Sequence, residues 1–204
     1  MTAARIAAGK PIYAATRNAD KLRELRALWG PAPPRLITPA AMPDVDECFD
    51  TYEQNALAKA AALMKLLFAP ALADDSGIEV KALEWKPGVR SARTPSADST
   101  PHERNAFILS QLGSTTGEER RARFVCVCAL VLPDEEPLIA RGEVEGLIAA
   151  APRGTAGFGY DPIFYYEPFG MTFAEAGPEA KNAVSHRGNA IRRLREMIAP
   201  LITR

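Results

Sequence analysis

The spacing of apolar residues along the chain alternates between helical and strand-like. Leu22, Leu25 and Leu28 recur at the spacing of one helix face, whereas the run of residues 124–132 is apolar throughout, as in a buried strand. The pattern predicts strands at 11–16, 71–73, 78–83, 122–132 and 138–148, and helices at about 20–29, 52–67, 100–112 and from 188 onward. Such a mixture, without a strict βαβ rhythm, indicates an α/β fold with a long mixed sheet flanked by helices. We expect two lobes and a central cleft.

Local signals mark where three of these helices begin. Asn18 or Asp20 is expected to cap the first helix, and two overlapping pairs, Asp50 with Glu53 and Thr51 with Gln54, each offer a capping box for the second. Pro101 opens the third. The last helix is expected to bury the apolar residues Ile191, Leu194, Met197 and Ile198.

Composition narrows the class of protein. The chain has 204 residues, of which 47% are hydrophobic, and 25 basic residues balance 25 acidic ones. We expect a single domain over residues 1–204 that binds no nucleic acid, because general nucleic-acid binders carry a basic excess. The apolar run of nine residues at 124–132 is far too short to cross a membrane. The three cysteines form no metal-binding motif and cannot all pair in disulfides, which favours a protein of the reducing cytoplasm. We also expect no membrane partner.

The segment between the first strand and the first helix is a candidate phosphate site. A helix N-terminus offers unpaired N–H groups and the positive end of its dipole, and Lys21 adds a full charge. The candidate residues are Thr16, Arg17, Asn18, Ala19, Asp20 and Lys21. An ordinary capped helix with Lys21 in solvent explains the same residues, since no Walker-type glycine pattern is present.

A second candidate is the pair Asp74 and Asp75, followed by Ser76, after a short apolar strand. Adjacent carboxylates repel unless a cation or donors offset them, and such strand ends commonly hold Mg²⁺. The alternative is a turn, which these residue types also form. Asp46 and Glu47 could supply a further ligand or lie in a solvated loop.

Lys59 and the glycine-rich segment 154–161 complete the candidates from residue types alone. Lys59 is a single charge among alanines on a packed helix, although a snorkelling lysine explains it equally well. Phe158 and Tyr160 offer ring faces for stacking a base, within a segment that could instead be a tight structural loop. Near the last helix, Lys181, His186 and Arg187 suit a ring carbonyl or a phosphate oxygen.

The order of these fragments resembles the inosine-triphosphate pyrophosphatase (Ham1-like) family. The similar blocks span residues 12 to 195 and read AATRNADKLRELRAL, TYEQNALAKAAAL, ALADDSGIEVKAL, PGVRSAR, PRGTAGFGYDPIF and EAKNAVSHRGNAI. The resemblance implies hydrolysis of non-standard purine nucleoside triphosphates to the monophosphate and pyrophosphate, with Mg²⁺, by a homodimer. It also implies a mixed α/β fold with two lobes.

The resemblance assigns roles position by position. It implies Asp75 as general base and metal ligand, with Asp74 and either Asp46 or Glu47 completing the metal site. Ser76 would touch the substrate. The triphosphate would be held by Thr16, Asn18, Lys21 and Lys59. The base pocket would be formed by Phe158, Gly159, Tyr160 and Asp161, and the purine edge read by Lys181, His186 and Arg187.

Arg17 departs from the family pattern, which has glycine between the threonine and the asparagine. If that glycine needs a positive φ, Arg17 is strained; otherwise it adds charge near the phosphates. Two other function classes stay open, a pyrophosphatase for pyrimidine or modified nucleotides and a non-catalytic nucleotide sensor. A sensor would be expected to lack one of the carboxylates or lysines that this chain retains.

Overall fold

A computed structural model describes residues 6, 7 and 9–203 of the chain. Its helices are α1 (Ala19–Trp29), α2 (Tyr52–Leu67), α3 (Pro101–Leu112), α4 (Phe173–Ala176), α5 (Pro178–Val184) and α6 (His186–Ile198). Its strands are β1 (Ile6–Ala7), β2 (Ile12–Ala14), β3 (Leu36–Ile37), β4 (Ala71–Val80), β5 (Lys86–Pro87), β6 (Arg121–Val131), β7 (Leu138–Ile148), β8 (Phe164–Tyr166), β9 (Met171–Thr172) and β10 (Ile202–Thr203). The mixed α/β class is therefore confirmed. No helix in the described part of the chain is long and apolar enough to cross a membrane.

The first three helices begin at side-chain caps, as their sequences predict. Asn18 caps α1, and Thr51 caps α2 by accepting a hydrogen bond from a backbone N–H in the first turn. Thr100 and Glu103 form a reciprocal capping box at α3. These caps satisfy backbone donors that the helix itself leaves unpaired, so short local motifs are enough to fix where each helix starts.

The main sheet is mixed. Its strands run in the order β3-β2-β4-β6-β7-β8-β9, and β5 pairs with β4 outside this path. Strand β2 is parallel to β3 and to β4, whereas β4–β5, β7–β8 and β8–β9 are antiparallel pairs. A separate parallel pair joins β1 to β10. The sheet places the carboxyl end of β2 beside β4, which carries the two aspartates.

Strand β4 corrects the expectation of two strands at 71–73 and 78–83, because residues 81–83 form a 3-10 helix and residues 71–80 form one strand. It runs unbroken for ten residues, and nine of them are buried. A segment further along the chain packs closely against the strand at Gly77. A Cβ added there would lie 2.1 Å from the carbonyl oxygen of Gly88. The Ser91 hydroxyl also accepts a hydrogen bond from the N–H of Ile78. Gly77 is thus required by packing against the strand and not by a turn.

The chain forms two compact units. The first comprises residues up to Asp75 together with Cys126–Gly142 and the residues from Arg187 onward, and the second comprises Ser76–Val125 and Glu143–His186. Each has its own apolar core. In the first core α6 buries Ile191, Leu194 and Ile198, but Met197 is 40% exposed, so its predicted burial is wrong. Met197 lies off the face that the other three residues share.

Candidate active site

In the first unit, the turn between β2 and α1 carries the candidate phosphate residues. The Asn18 side chain accepts hydrogen bonds from the N–H groups of Asp20 and Lys21, and the Thr16 hydroxyl accepts one from the Asn18 N–H. The cap therefore uses two of the free amides at this helix end, and Ala19 is exposed beside them. Lys21 Nζ lies 3.3 Å from Asp74 Oδ2, which brings a full positive charge to the carboxylate strand.

Asp74 is held in a buried network of charges. Its Oδ2 accepts hydrogen bonds from Nε and Nη2 of Arg187, at 3.3 and 3.0 Å, and Nη1 of Arg187 donates to Glu24 at 2.5 Å. Burial alone would raise the pKa of Asp74, but the charges of Lys21 and Arg187 outweigh it and hold this pKa well below its ordinary value. Asp74 is therefore a fixed carboxylate.

Asp75 occupies a different environment one residue along the strand. Its Oδ2 accepts a hydrogen bond of 3.2 Å from Asn55, and its Oδ1 lies 3.5 Å from Nζ of Lys59. Lys59 also donates to Glu47 at 2.9 Å. Burial raises the pKa of Asp75 against the opposing charges of Lys59 and Lys21. Burial opposes the ammonium form of Lys59, but Asp75, Asp74 and Glu47 outweigh it and raise the pKa of Lys59.

The two adjacent carboxylates thus have pKa values shifted in opposite directions. One is locked in the ionised form by Arg187 and Lys21, and the other is poised to take up a proton more readily than an ordinary aspartate. Pairs of titratable groups separated in this way are typical of sites that carry out acid–base chemistry. Asp75 is accordingly the residue of this cluster best suited to accept a proton.

The acidic side chains fit a magnesium ion that arrives with a phosphate ligand. Among the described residues no group of three or more acidic, histidine or cysteine side chains is assembled to hold a metal ion. However, Oδ1 of Asp74 is buried without a hydrogen-bond partner, and Asp75 and Glu47 flank the same lysine. Mg²⁺ usually takes one or two carboxylates and completes its shell with water and phosphate oxygens. Asp46 is exposed and shares none of these contacts.

In the second unit, a buried ion pair supports the glycine-rich loop. Asp161 Oδ2 accepts hydrogen bonds from the N–H of Phe158 at 2.8 Å and from Nζ of Lys181 at 2.5 Å. The Lys181 ammonium also lies 4.8 Å from the centre of the Phe158 ring. Gly157 has a φ of +77°, and a Cβ there would lie 2.1 Å from Asp161 Oδ2, so only glycine fits this turn. Lys181 is 2% exposed and holds this loop in place.

Two further contacts fix the centre of the same loop. The Tyr160 hydroxyl donates to the carbonyl of Ser91 at 2.8 Å, and burial raises the pKa of Tyr160 to about 12. Asn105 on α3 donates to the carbonyl of Gly159 at 3.2 Å and is itself buried. The ring of His186 stacks on Phe124 at 4.6 Å.

Within each unit the structure brings some of the predicted residues into contact, and it adds three that the motifs missed. Lys21, Lys59, Glu47, Asp74 and Asp75 cluster in the first unit. Ser76 is half-buried on β4. The predicted base-pocket residues 158–161 lie in the second unit with Lys181 and His186, whereas Arg187 lies in the first. Glu24, Asn55 and Asn105 were not singled out. Their only sequence signal is a polar side chain at a position that faces the core.

Comparison with known proteins identifies the family. The family model described as "Ham1 family" matches residues 12–197. The chain belongs to the Ham1 family. Among curated relatives, a protein of Geobacter sulfurreducens named dITP/XTP pyrophosphatase is 46% identical over 91% of this chain and 94% of its own length. A protein of the same name from Thermus thermophilus is 47% identical over 92% of this chain and 91% of its own length.

Solved Ham1 structures share this fold. A HAM1 protein from Coxiella burnetii is 40% identical and superposes with a TM-score of 0.85 over 94% of this chain and 99% of that chain. The Ham1 protein of Staphylococcus aureus is 37% identical, with a TM-score of 0.82 over the same shares of the two chains. The mixed sheet with flanking helices is therefore the Ham1 architecture.

Proposed function

We propose that this chain is a nucleoside-triphosphate pyrophosphatase that acts on non-standard purine nucleotides such as ITP, dITP and XTP. It hydrolyses the bond between the α- and β-phosphates and releases the monophosphate and pyrophosphate. Its relatives, named dITP/XTP pyrophosphatases, support the substrate class. The observation that carries the chemistry is the oppositely tuned pair of carboxylates on β4.

The first unit is assigned two roles, binding the triphosphate and activating the water molecule that attacks it. Asp75 orients a water molecule and accepts its proton, because its raised pKa makes it the better base of the pair. Lys21 and Lys59 offset the charge that develops on the leaving pyrophosphate. Thr16 and Asn18 shape the turn that receives the phosphates. Arg187, which is committed to Asp74 and Glu24, acts by holding Asp74 in place.

Mg²⁺ is assigned to Asp74, Asp75 and Glu47, whose oxygens are the ligands that this ion prefers. When bound, it would screen the phosphate charges from the attacking water. Glu47 is preferred to Asp46 because it shares Lys59 with Asp75, whereas Asp46 is exposed. In the free protein, Lys59 balances the negative charge of Glu47 and Asp75.

The second unit is assigned to binding the purine ring of the nucleotide. The Phe158 ring stacks on the purine, and Gly159, Tyr160 and Asp161 complete the loop that holds this ring. Lys181 supports the loop from behind through Asp161. His186 is assigned to the polar edge of the base, where the 6-keto group of hypoxanthine or xanthine accepts a hydrogen bond. We also propose that the enzyme works as a homodimer in the cytoplasm, without nucleic-acid or membrane partners.

The test is a release assay on a panel of ITP, XTP, dITP, ATP, GTP and dUTP, with Mg²⁺ or with EDTA. We expect Mg²⁺-dependent pyrophosphate from the first three and little from ATP or GTP. Asp75→Asn should abolish turnover, and Asp98→Asn, a matched change at an exposed aspartate, should not. Release of orthophosphate would refute cleavage at the α–β bond.

The same panel separates the alternatives. A pyrophosphatase for pyrimidine nucleotides would release pyrophosphate fastest from dUTP, and a nucleotide sensor would bind ITP without turnover by the unaltered protein. The sensor is disfavoured because the cluster retains both aspartates and both lysines in contact.

A further inference from the structure

Arg17 lies in the turn between β2 and α1 and binds a different segment of the first unit. Its Nη1 donates to Asp44 Oδ1 at 2.8 Å, and its Nη2 donates to the carbonyl oxygens of Met42 and Pro43 at 3.2 and 3.3 Å. Arg17 is not among the non-glycine residues with a positive φ, so its backbone is unstrained. One guanidinium thus joins three consecutive residues to the turn between β2 and α1.

The segment that Arg17 binds leads directly into the acidic residues of the site. Residues 38–50 contain no helix or strand. Three residues after Asp44 the same segment reaches Glu47, which accepts a hydrogen bond from Lys59. This irregular stretch, named here the acidic segment (residues 42–47), is therefore tied at one end by Arg17 and at the other by Lys59.

We propose that Arg17 is a positioning residue that fastens the acidic segment and so sets Glu47 beside Lys59 and Asp75. Ordering an irregular segment costs conformational entropy at each residue, and charge-assisted hydrogen bonds from a planar guanidinium can offset that cost. Glycine at this position has no side chain with which to do the same. The proposal rests on the proposed function only in taking Glu47 as part of the magnesium site.

If Arg17 bound the phosphates directly, the substitution Asp44→Ala would change nucleotide binding in the opposite direction to that expected from fastening. If Arg17 bound the triphosphate itself, Asp44 would compete for the guanidinium, and removing Asp44 would tighten binding of the nucleotide. If Arg17 fastens the acidic segment, Asp44 is its partner, and removing either residue loosens the segment. Arg17→Ala and Asp44→Ala therefore separate the two roles by the sign of the Asp44 effect.

A native reporter follows the segment without any substrate. Cys48 is exposed, whereas Cys126 and Cys128 are buried, so a nitroxide reagent should label Cys48 selectively in the folded protein. We expect a narrower, more mobile electron paramagnetic resonance spectrum for Arg17→Ala and Asp44→Ala in the metal-free protein. Arg23→Ala removes an exposed arginine of α1 that pairs with Asp20 and should leave the spectrum unchanged. Unchanged mobility in both segment variants would overturn the proposal.

The dependence of pyrophosphate release on Mg²⁺ concentration is the second measurement. Each of the two variants should raise the Mg²⁺ concentration for half-maximal pyrophosphate release by up to about fivefold, as for a solvent-exposed ion pair, with a smaller change in kcat at saturating Mg²⁺. The double variant should be no worse than Arg17→Ala, because Arg17→Ala already breaks the contact that Asp44→Ala removes. A lower KM for ITP in Asp44→Ala would assign Arg17 to the phosphates instead. If no nucleotide is hydrolysed, the proposed function fails while the spectra still test the fastening.

Discussion

At the scale of single residues, the neighbouring aspartates Asp74 and Asp75 are expected to respond oppositely to the same substitution. Asp74→Asn deprives the buried guanidinium of Arg187 of the Asp74 carboxylate, and breaking a buried pair in this way costs about 3–5 kcal/mol of the free energy of unfolding. Asp75→Asn removes a charge whose environment already favours the neutral form. At pH 7 in EDTA, the first variant should melt well below the parent protein and the second at or above it.

Urea or thermal unfolding of the two variants measures this contrast directly, since the substitutions are chemically identical and adjacent in sequence. Equal destabilisation of both would show that Asp75 is as firmly paired as Asp74. The contrast also separates fold from function, because a well-folded Asp75→Asn protein without turnover assigns the loss to chemistry and not to misfolding.

At the scale of elements, helix α3 is expected to support base recognition through Asn105. Its side chain donates to the carbonyl of Gly159 in the loop that carries Phe158. Losing one hydrogen bond to a buried group costs about 1–3 kcal/mol, so Asn105→Ala should raise the KM for ITP by roughly tenfold and change kcat less. Gln111→Ala, an exposed change on the same helix, is the control. An unchanged KM for ITP would show that the other contacts of the loop are sufficient.

Elements whose ends are set by neighbouring residues could be predicted from the sequence. Elements whose extent depends on contacts with residues distant in the sequence could not. The start of α1 follows from Asn18 itself, and that of α3 from Pro101, which occupies the first turn of the helix. Strand β4 was wrongly divided because the contact that explains Gly77 comes from Gly88 and Ser91, eleven and fourteen residues further along.

The same distinction holds for the candidate site. Motif residues such as Asp75 and Lys59 were identified by type and order, but their contact depends on the pairing of β2 with β4 and on the packing of α2. Arg187 was expected at the purine edge, and its fully buried contacts with Asp74 and Glu24 depend on residues 113 and 163 positions away. Asn105 lies in none of the motifs, and Asn55 lies inside one without an assigned role, because a buried amide gains its role only from the groups that it contacts.

At the scale of the whole molecule, the shifted pKa values of Asp74 and Asp75 make the free energy of unfolding depend on pH. The lowered pKa of Asp74 contributes stability that is present above its unfolded pKa of about 3.9 and is lost as pH falls through the lower folded value. The raised pKa of Asp75 acts in the opposite sense. Its contribution is fully present below about pH 3.9 and is lost as pH rises through the folded pKa.

The contribution of Asp75 can be isolated by comparing the parent protein with Asp75→Asn in EDTA between pH 4 and pH 8. All other groups titrate in both proteins, so the difference in melting temperature reports Asp75 alone. This difference should grow in favour of the variant as pH rises through the folded pKa of Asp75 and then level off. A difference that does not vary with pH would mean that the pKa of Asp75 is the same in the folded and the unfolded protein.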